Sequence, residues 1–240
     1  MVEDNVDVVQ YIIACLEGHY NLHIARNGQE GIDLALEKIP DLILSDVMMP
    51  LKSGYELCAE LKGDHRTSHI PIVLLTAKAD DDSKIEGLER GADAYLAKPF
   101  NRTELFVRLN KLMELRQKLR ERYQTGEDAT DGPENQEDEF ITRIKEEIHT
   151  NLDDEYFGIN ELCRSIGMSR AQLHRKIKAL TGRSTSIYIR SIRLNHAKKL
   201  LLSTDLNIAQ IAFEVGFRDP KYFSKTFAEE FGQNPRALRK

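Results

Sequence analysis

A short apolar segment that ends in an acidic residue places the strongest constraint on the fold of this chain. Leu42, Ile43 and Leu44 form an unbroken apolar run, which is typical of a parallel strand covered on both faces. The run ends at Ser45 and Asp46, so a carboxylate lies at the carboxyl end of the predicted strand. Ligands of open α/β sheets bind at that edge. Asp46 is therefore a candidate functional residue, although most strand-terminal aspartates only cap a helix or a turn.

Two further apolar segments, residues 70–75 and 93–97, are also followed by polar side chains, Thr76 and Lys98. Helical patterns, one of them over residues 80–90, alternate with the three segments, and residues 20–25 alternate in hydropathy as a further strand would. This order predicts a parallel sheet with helices on both faces. Because the carboxyl ends of parallel strands share one edge of a sheet, we expect Thr76 and Lys98 to lie near Asp46.

An acidic pair, Glu3 and Asp4, precedes the first amphipathic segment and is predicted to join the same edge. Clustered carboxylate oxygens suit Mg²⁺, a hard cation that prefers octahedral oxygen ligands. A hydroxyl group and an ammonium group can both bond phosphoryl oxygens. The sequence therefore predicts a magnesium site beside an aspartate that accepts a phosphoryl group.

Residues 1–122 resemble the receiver domain of two-component response regulators. The resemblance implies a flavodoxin-like, doubly wound parallel sheet. It also implies that Asp46 is the phospho-acceptor, that Thr76 and Lys98 contact the phosphoryl oxygens, and that Tyr95 is an aromatic switch. The magnesium ligands that it implies are Asp4, Asp46 and the backbone carbonyl of Met48, with Glu3 assisting through water.

The start of the chain departs from the family pattern. A doubly wound sheet needs a full apolar strand before Glu3, whereas only Met1 and Val2 precede it. We therefore expect an N-terminally truncated receiver domain, with its first strand largely missing, that comes from a longer protein. The resemblance also implies a cis peptide bond between Lys98 and Pro99.

The two halves of the chain differ in charge. Residues 139–240 carry 18 Lys and Arg against 12 Asp and Glu, whereas residues 1–138 carry 16 against 27. A basic half favours a nucleic-acid partner. No apolar run is long enough to cross a bilayer and no signal peptide opens the chain, so we expect a cytoplasmic location. The three cysteines are expected to be small core residues.

The composition of residues 125–138 indicates a domain boundary. This stretch contains no apolar side chain except Ala129 and is rich in Gly, Pro, Asp and Glu. Such a sequence cannot bury enough surface to order itself. We predict a flexible linker over residues 123–137, between the receiver domain and a second domain over residues 138–240.

The second domain contains one helical pattern twice. A short helix over residues 159–166, a glycine turn and a capped helix from Ser169 form the first helix-turn-helix. Residues 208–215, the turn at Gly216 and a helix capped by Asp219 form the second. Between them, residues 184–202 predict one helix of about 28 Å. That length is near the roughly 34 Å between successive major grooves on one face of DNA.

This all-α, tandem arrangement resembles the AraC-type DNA-binding domain, which implies double-stranded DNA as the partner. The residues predicted to contact DNA lie on the outer faces of the two recognition helices: Arg170, Ala171, Gln172, His174, Arg175, Lys178, Lys221, Tyr222, Ser224 and Lys225. Arg175 can pair bidentately with a guanine. Arg183, Arg190 and Arg193 are expected to contact phosphate groups.

The sequence thus predicts a DNA-binding transcription regulator of a two-component phosphorelay, controlled by phosphorylation of Asp46 and not an enzyme beyond phosphoryl acceptance and self-dephosphorylation. A histidine kinase domain would supply the phosphoryl group, and phosphorylation would favour a homodimer. The domain order is similar to the C-terminal part of hybrid sensor kinases.

Two alternatives remain at this stage. The receiver domain could be a dimerisation scaffold in a DNA-binding protein that does not respond to phosphorylation. The chain could also be a phosphohydrolase of the haloacid dehalogenase class, which uses a strand-terminal aspartate. That class has a second aspartate two residues later, where this chain has Met48.

Overall fold

The structure is a computed structural model that describes residues 1–77, 91–124 and 136–239. The chain divides into two compact units, Met1–Leu119 and Arg120–Lys240. The helix predicted over residues 80–90 lies outside the described residues. Among the described helices, none has the length and apolar character that a membrane span requires.

The first unit is an α/β unit built on a parallel sheet. Its described elements are α1 (Val6–Leu16), α2 (Gly28–Lys38), β1 (Ile43–Asp46), α3 (Gly54–Gly63), β2 (Ile72–Thr76), β3 (Ala94–Ala97) and the first part of α4 (Arg102–Gln124). The three strands pair in parallel in the order β1-β2-β3. Polar caps fix where the helices begin: the side chains of Asn5, Asn27 and Ser53 accept hydrogen bonds from the first turns of α1, α2 and α3.

The first residues of the chain extend this sheet beyond β1. Val2 forms parallel bridges with Ala25 on one side and Ser45 on the other. The amide of Val2 donates to the carbonyl of Leu44 at 2.8 Å, and the amide of Asp46 donates to the carbonyl of Val2 at 2.9 Å. Met1–Glu3 therefore lies between residue 25 and β1, in the place that the resemblance gives to the first strand.

The strand predicted over residues 20–25 is wrong except at its end. Ala25 forms a bridge to Val2, and the carbonyl of His23 accepts a hydrogen bond from the amino group of Met1 at 2.7 Å, but residues 20–24 are not in a strand. Among the described residues, the hydrogen bonds between this segment and Met1–Glu3 involve only His23 and Ala25, so residues 20–22 have no partner backbone there for a strand.

Alternate residues of the strands face two separate hydrophobic cores. Ile43, Ile72 and Leu74 pack in one cluster with side chains of α2 and α3, including Ile32 and Leu57. Side chains from the other face form the second cluster with α1 and α4: Leu44, Val73, Leu75, Ile12, Leu105 and Leu109. Each fully buried aliphatic side chain stabilises the fold by about 1.5–3 kcal/mol. This arrangement confirms the doubly wound α/β fold.

The second unit is helical throughout its described residues. Its elements are α5 (Gln136–Thr150), α6 (Ile159–Ile166), α7 (Arg170–Thr181), α8 (Thr185–Ser203), α9 (Ile208–Glu214), α10 (Pro220–Phe231) and α11 (Pro235–Leu238). The two ends of the predicted linker are helical, since Tyr123 belongs to α4 and Gln136 begins α5. The middle of the predicted linker, residues 125–135, lies outside the described residues.

The helix α8 connects two hydrophobic cores within this unit. Tyr188, Ile189 and Ile192 from its first half pack with α5, α6 and α7. Leu194 and Ala197 from its second half pack with α9 and α10. Each core supports one helix-turn-helix, as the repeated sequence pattern predicts. The three cysteines are free thiols, of which Cys15 and Cys58 are buried and Cys163 is half-buried.

Candidate functional site

The carboxyl edge of the parallel sheet brings three of the predicted site residues together. Asp46 is the last residue of β1 and Thr76 the last residue of β2. Lys98 follows β3, and its amide donates to the carbonyl of Thr76 at 2.7 Å. Asp46 and Thr76 are both buried. The parallel register places these residues at one edge because each apolar strand ends at the same level.

The side chain of Lys98 connects two acidic residues at this edge. Its Nζ lies 2.8 Å from Oε2 of Glu3 and 2.9 Å from Oδ1 of Asp46. Glu3 is fully buried, so the ammonium group compensates a carboxylate that water does not reach. The peptide bond between Lys98 and Pro99 is cis, as the sequence resemblance implies.

Carboxylate oxygens of Glu3, Asp4 and Asp46 lie within 4.8 Å of one another. Asp4 is exposed at the opening of the cluster, whereas the other two residues are buried. Three carboxylates at this separation suit a hard divalent cation with oxygen ligands, so the residues present fit Mg²⁺. Met48 follows β1 and its side chain is exposed, so its backbone carbonyl is the group that could bind a cation here.

The electrostatics of the cluster follow from burial and pairing. Burial raises the pKa of Glu3 and the charge of Asp46 adds to this effect, while the hydrogen bond from Lys98 opposes it. Burial also acts to lower the pKa of Lys98, but its bonds to Glu3 and Asp46 outweigh burial and raise the pKa. Lys98 therefore stays charged near neutral pH and is available to bond an anion.

Tyr95 lies on β3 opposite Leu74 of β2. Its ring packs against the hydrophobic cluster that contains Val2 and Leu74, and its hydroxyl oxygen is buried. The side chain is thus directed into the fold, two strands away from Asp46.

Sequence reasoning missed one residue of this site, Gly54 at the start of α3. A Cβ atom there would lie 2.2 Å from the carbonyl oxygen of Asp46. The amide of Gly54 also donates to the carbonyl of Val47 at 2.9 Å. Gly54 therefore allows α3 to begin directly against the backbone of Asp46. A glycine just after a Ser cap was the available signal.

In the second unit, the outer face of α7 carries most of the residues predicted to contact DNA. Its exposed side chains are Arg170, Ala171, His174, Arg175 and Lys178. Gln172 differs, because its Oε1 accepts a hydrogen bond from the amide of Ser169 in the predicted capping box. Gln172 is half-buried and serves the start of the helix.

The outer face of α10 is similar. Lys221, Tyr222 and Lys225 are exposed. Ser224 is half-buried, and its hydroxyl donates to the carbonyl of Pro220 at 2.9 Å. The exposed cations on α7 and α10 therefore form the main charged surface of the two recognition helices.

The predicted phosphate contact at Arg193 is wrong. This side chain is buried and its guanidinium donates to three backbone carbonyls, those of Asp154, Phe157 and Gly216. Burial lowers its pKa, an effect that the charge of Asp154 opposes. The helical pattern did not predict this role, because the first half of α8 is buried on almost every side.

The other two arginines proposed for phosphate contact are more accessible. Arg183 forms an ion pair with Glu230 at 2.6 Å. Arg190 is half-buried, and its Nη1 donates to the hydroxyl of Tyr222 at 3.1 Å. A cleft of about 380 Å³ lies beside Arg190 and is lined also by Phe217 and Tyr222.

The chain thus combines two units, a parallel α/β unit with an acidic cluster and a lysine at its carboxyl edge and a tandem helix-turn-helix unit. This combination is typical of response regulators that bind DNA. Two family models match the chain: the response regulator receiver domain over residues 1–110 and a helix-turn-helix domain over residues 162–240. The chain therefore contains a response regulator receiver domain followed by a helix-turn-helix domain of the AraC type.

Individual relatives agree with this assignment. Histidine kinase P4 of Formosa agariphila is 37% identical over 238 residues, which cover 98% of this chain and 17% of that protein. The phosphate regulon transcriptional regulatory protein PhoB of Pseudomonas aeruginosa is 43% identical over 114 residues, 47% of this chain and 50% of that protein. The chain therefore spans half or less of the length of these relatives.

A receiver domain of a signal transduction histidine kinase from Syntrophus aciditrophicus has a solved structure that is 36% identical. The match covers 47% of this chain and 86% of that domain, with a TM-score of 0.44.

Proposed function

We propose that this chain is a sequence-specific DNA-binding regulator of a two-component phosphorelay whose DNA affinity is controlled by phosphorylation of Asp46. The observation that carries the proposal is the meeting of Glu3, Asp4, Asp46, Thr76 and Lys98 at one edge of the sheet. These residues come from four separate segments of the chain. Their side chains are those that phosphoryl acceptance at an aspartate requires.

In the proposed reaction, a carboxylate oxygen of Asp46 attacks the phosphorus of a phosphohistidine in a kinase domain. An O–P bond forms, the P–N bond breaks, and the histidine nitrogen leaves with its electron pair and takes up a proton. The Lys98 ammonium and the Thr76 hydroxyl donate hydrogen bonds to the phosphoryl oxygens. Lys98 already lies 2.9 Å from Asp46, so little movement is needed.

Glu3, Asp4, Asp46 and the backbone carbonyl of Met48 would hold Mg²⁺ in this proposal. When bound, the ion supplies positive charge that offsets the charge of the transferred phosphoryl group. Asp4 is the exposed member of the set, which gives a cation access to the two buried carboxylates.

The phosphoryl group adds negative charge and acceptor oxygens next to Thr76. We propose that Thr76 moves toward it, that the half-buried Tyr95 follows inward, and that the changed receiver surface favours a homodimer. Two copies of α7 and α10 would then bind paired sites on double-stranded DNA. A histidine kinase domain, in a separate protein or in a longer parent chain, is the proposed phosphodonor.

The same proposal gives the chain no enzymatic role beyond phosphoryl acceptance and self-dephosphorylation. The proposal also agrees with the cytoplasmic location predicted from the sequence, because the chain must contact both a kinase domain and DNA.

The test compares DNA affinity before and after treatment with acetyl phosphate and Mg²⁺. The probe is a duplex that the chain selects from a random-sequence pool. We expect the treatment to change the dissociation constant by about tenfold, equivalent to about 1.4 kcal/mol, and we expect no change in the Asp46→Asn variant. An unchanged affinity in the wild-type chain, despite labelling, would favour the phosphorylation-independent scaffold instead.

A further inference from the structure

Arg193 joins the backbones of the two helix-turn-helix motifs. From the middle of α8, its Nη2 donates to the carbonyl of Asp154 at 2.8 Å and to that of Phe157 at 3.1 Å. Its Nη1 donates to the carbonyl of Gly216 at 3.0 Å. The first two carbonyls belong to the segment that enters α6, and the third belongs to the turn between α9 and α10. One buried side chain therefore binds both motifs.

The turn between α9 and α10 requires a glycine at position 216, for two reasons. Gly216 has a φ of +73°, a conformation that side chains with a Cβ atom rarely adopt. A Cβ atom would also lie 2.5 Å from the carbonyl oxygen of Leu152 and 2.8 Å from Cζ of Arg193. The turn of the second motif is thus packed directly against the backbone that precedes the first motif.

Few other features of the described residues fix one motif relative to the other. The hydrophobic clusters of the two motifs are separate and share only α8. The ion pairs Arg183–Glu230 and Arg218–Glu155 also cross between the motifs, but they are partly exposed. Exposed pairs stabilise little, whereas a buried guanidinium bonded to three carbonyls holds a defined geometry.

We propose that Arg193 is a positioning residue that sets the distance and rotation between the recognition helices α7 and α10, and thereby the spacing of the two DNA elements that the chain accepts. This inference rests on the proposed DNA-binding function. One added base pair moves an element by about 3.4 Å along the duplex and also rotates it about the helix axis. If Arg193 holds the two motifs rigidly, DNA with the changed spacing binds less tightly. If that contact is loosened, the changed spacing weakens binding less.

The experiment uses the full chain and the duplex that the wild type selects from a random-sequence pool. Further probes have the two bound elements separated by one more or one fewer base pair, or keep one element alone. We expect the wild type to prefer the selected spacing by about tenfold. Arg193→Met and Gly216→Ala should reduce this preference to about threefold or less, while affinity for single elements stays at the wild-type level.

Two further variants separate positioning from charge. Arg193→Lys should give an intermediate preference, because an ammonium group can bond carbonyls but lacks the planar guanidinium fork. Arg190→Met removes the same charge from the same helix without touching those carbonyls. It should weaken binding to all probes by a similar factor and keep the wild-type spacing preference.

Circular dichroism tests whether each variant is folded. If Arg193→Met does not fold, the spacing preferences of Arg193→Lys and Gly216→Ala decide whether Arg193 has the positioning role. Folded variants with the wild-type spacing preference would overturn the positioning role. An equal loss on every probe, single elements included, would also overturn it, since that result indicates general loss of active protein. If the wild type selects no sequence from the pool, it is the proposed DNA-binding function that fails.

Discussion

Lys98 and Glu3 lie 95 positions apart in the sequence and form an ion pair of 2.8 Å at the carboxyl edge of the sheet. The same ammonium nitrogen is 2.9 Å from Asp46. One ammonium group therefore compensates the negative charge of two carboxylates. The ion pair connects Met1–Glu3 to the segment after β3, so one lysine both stabilises the α/β unit and lies beside Asp46, the proposed phospho-acceptor.

Replacing this cation should destabilise the receiver unit. Lys98→Met leaves the buried Glu3 without its charged hydrogen-bond donor, and we expect the free energy of unfolding to fall by about 1.5–3 kcal/mol. Chemical denaturation followed by circular dichroism measures the change. Lys38→Met is the matched control, because Lys38 pairs with Glu37 at an exposed position. A loss no greater than the roughly 0–1 kcal/mol expected of that surface pair would contradict the role of Lys98.

Asp4 should control the response to magnesium. At a Mg²⁺ concentration of ten times the dissociation constant, binding to the folded state stabilises the wild type by about 1.4 kcal/mol. Asp4→Asn removes one of the three clustered carboxylates and should lose most of this stabilisation at the same concentration. The measurement is the thermal unfolding midpoint with and without MgCl₂.

Asp7→Asn provides the control for the magnesium experiment. Asp7 is an exposed acid in the first turn of α1, outside the carboxylate cluster. This variant should respond to MgCl₂ as the wild type does. If Asp4→Asn also kept the full response, the three carboxylates would not be the magnesium site.

His196 should make the DNA-binding unit less stable in acid. Burial, and then the charge of Lys199, lowers the pKa of His196 below its ordinary value of about 6.5. The unfolded chain thus takes up a proton more readily, so stability is present above the ordinary pKa and is lost as the pH falls through the lowered one. His196→Asn removes this contribution, and urea denaturation at pH 7.5 and pH 5.5, both about one unit from the ordinary pKa, measures it. If His196→Asn lost as much free energy of unfolding between pH 7.5 and pH 5.5 as the wild type does, His196 would not be the cause of the acid sensitivity.

Arg175 should determine base specificity at one position of the DNA site. It is exposed on α7, where a guanidinium can pair with a guanine. Arg175→Ala should reduce the free energy of binding to the selected duplex by about 1–3 kcal/mol. The variant should also bind duplexes with a changed base at that position almost as well as it binds the selected one. A set of single-base variants of the probe measures this. Equal weakening on all duplexes would identify Arg175 as a phosphate contact.

The grouping of Asp46, Thr76 and Lys98 at one edge of the sheet was predictable because its signals are local. An apolar strand followed by Asp46, another followed by Thr76 and a third followed by Lys98 are visible in the sequence, and parallel strands bring their ends to one edge. The sequence did not indicate Gly54, since its role depends on the approach of α3 to the backbone of Asp46.

The long-range contacts of polar side chains were the least predictable. Arg193 resembles the other arginines of its helix in sequence, but it is buried because carbonyls from two distant segments surround it. The predicted strand over residues 20–25 failed for a related reason. Strand formation needs a partner backbone, and among the described residues only His23 and Ala25 of this segment bond to Met1–Glu3.

The most direct test of this account is the site of phosphorylation. The intact chain is incubated with acetyl phosphate and Mg²⁺, and mass spectrometry counts and locates the phosphoryl groups in the wild type, in Asp46→Asn and in Asp33→Asn, an exposed acid on α2. The account predicts one phosphoryl group on Asp46 in the wild type and in Asp33→Asn, and none in Asp46→Asn. Labelling of Asp46→Asn at the wild-type level would contradict it.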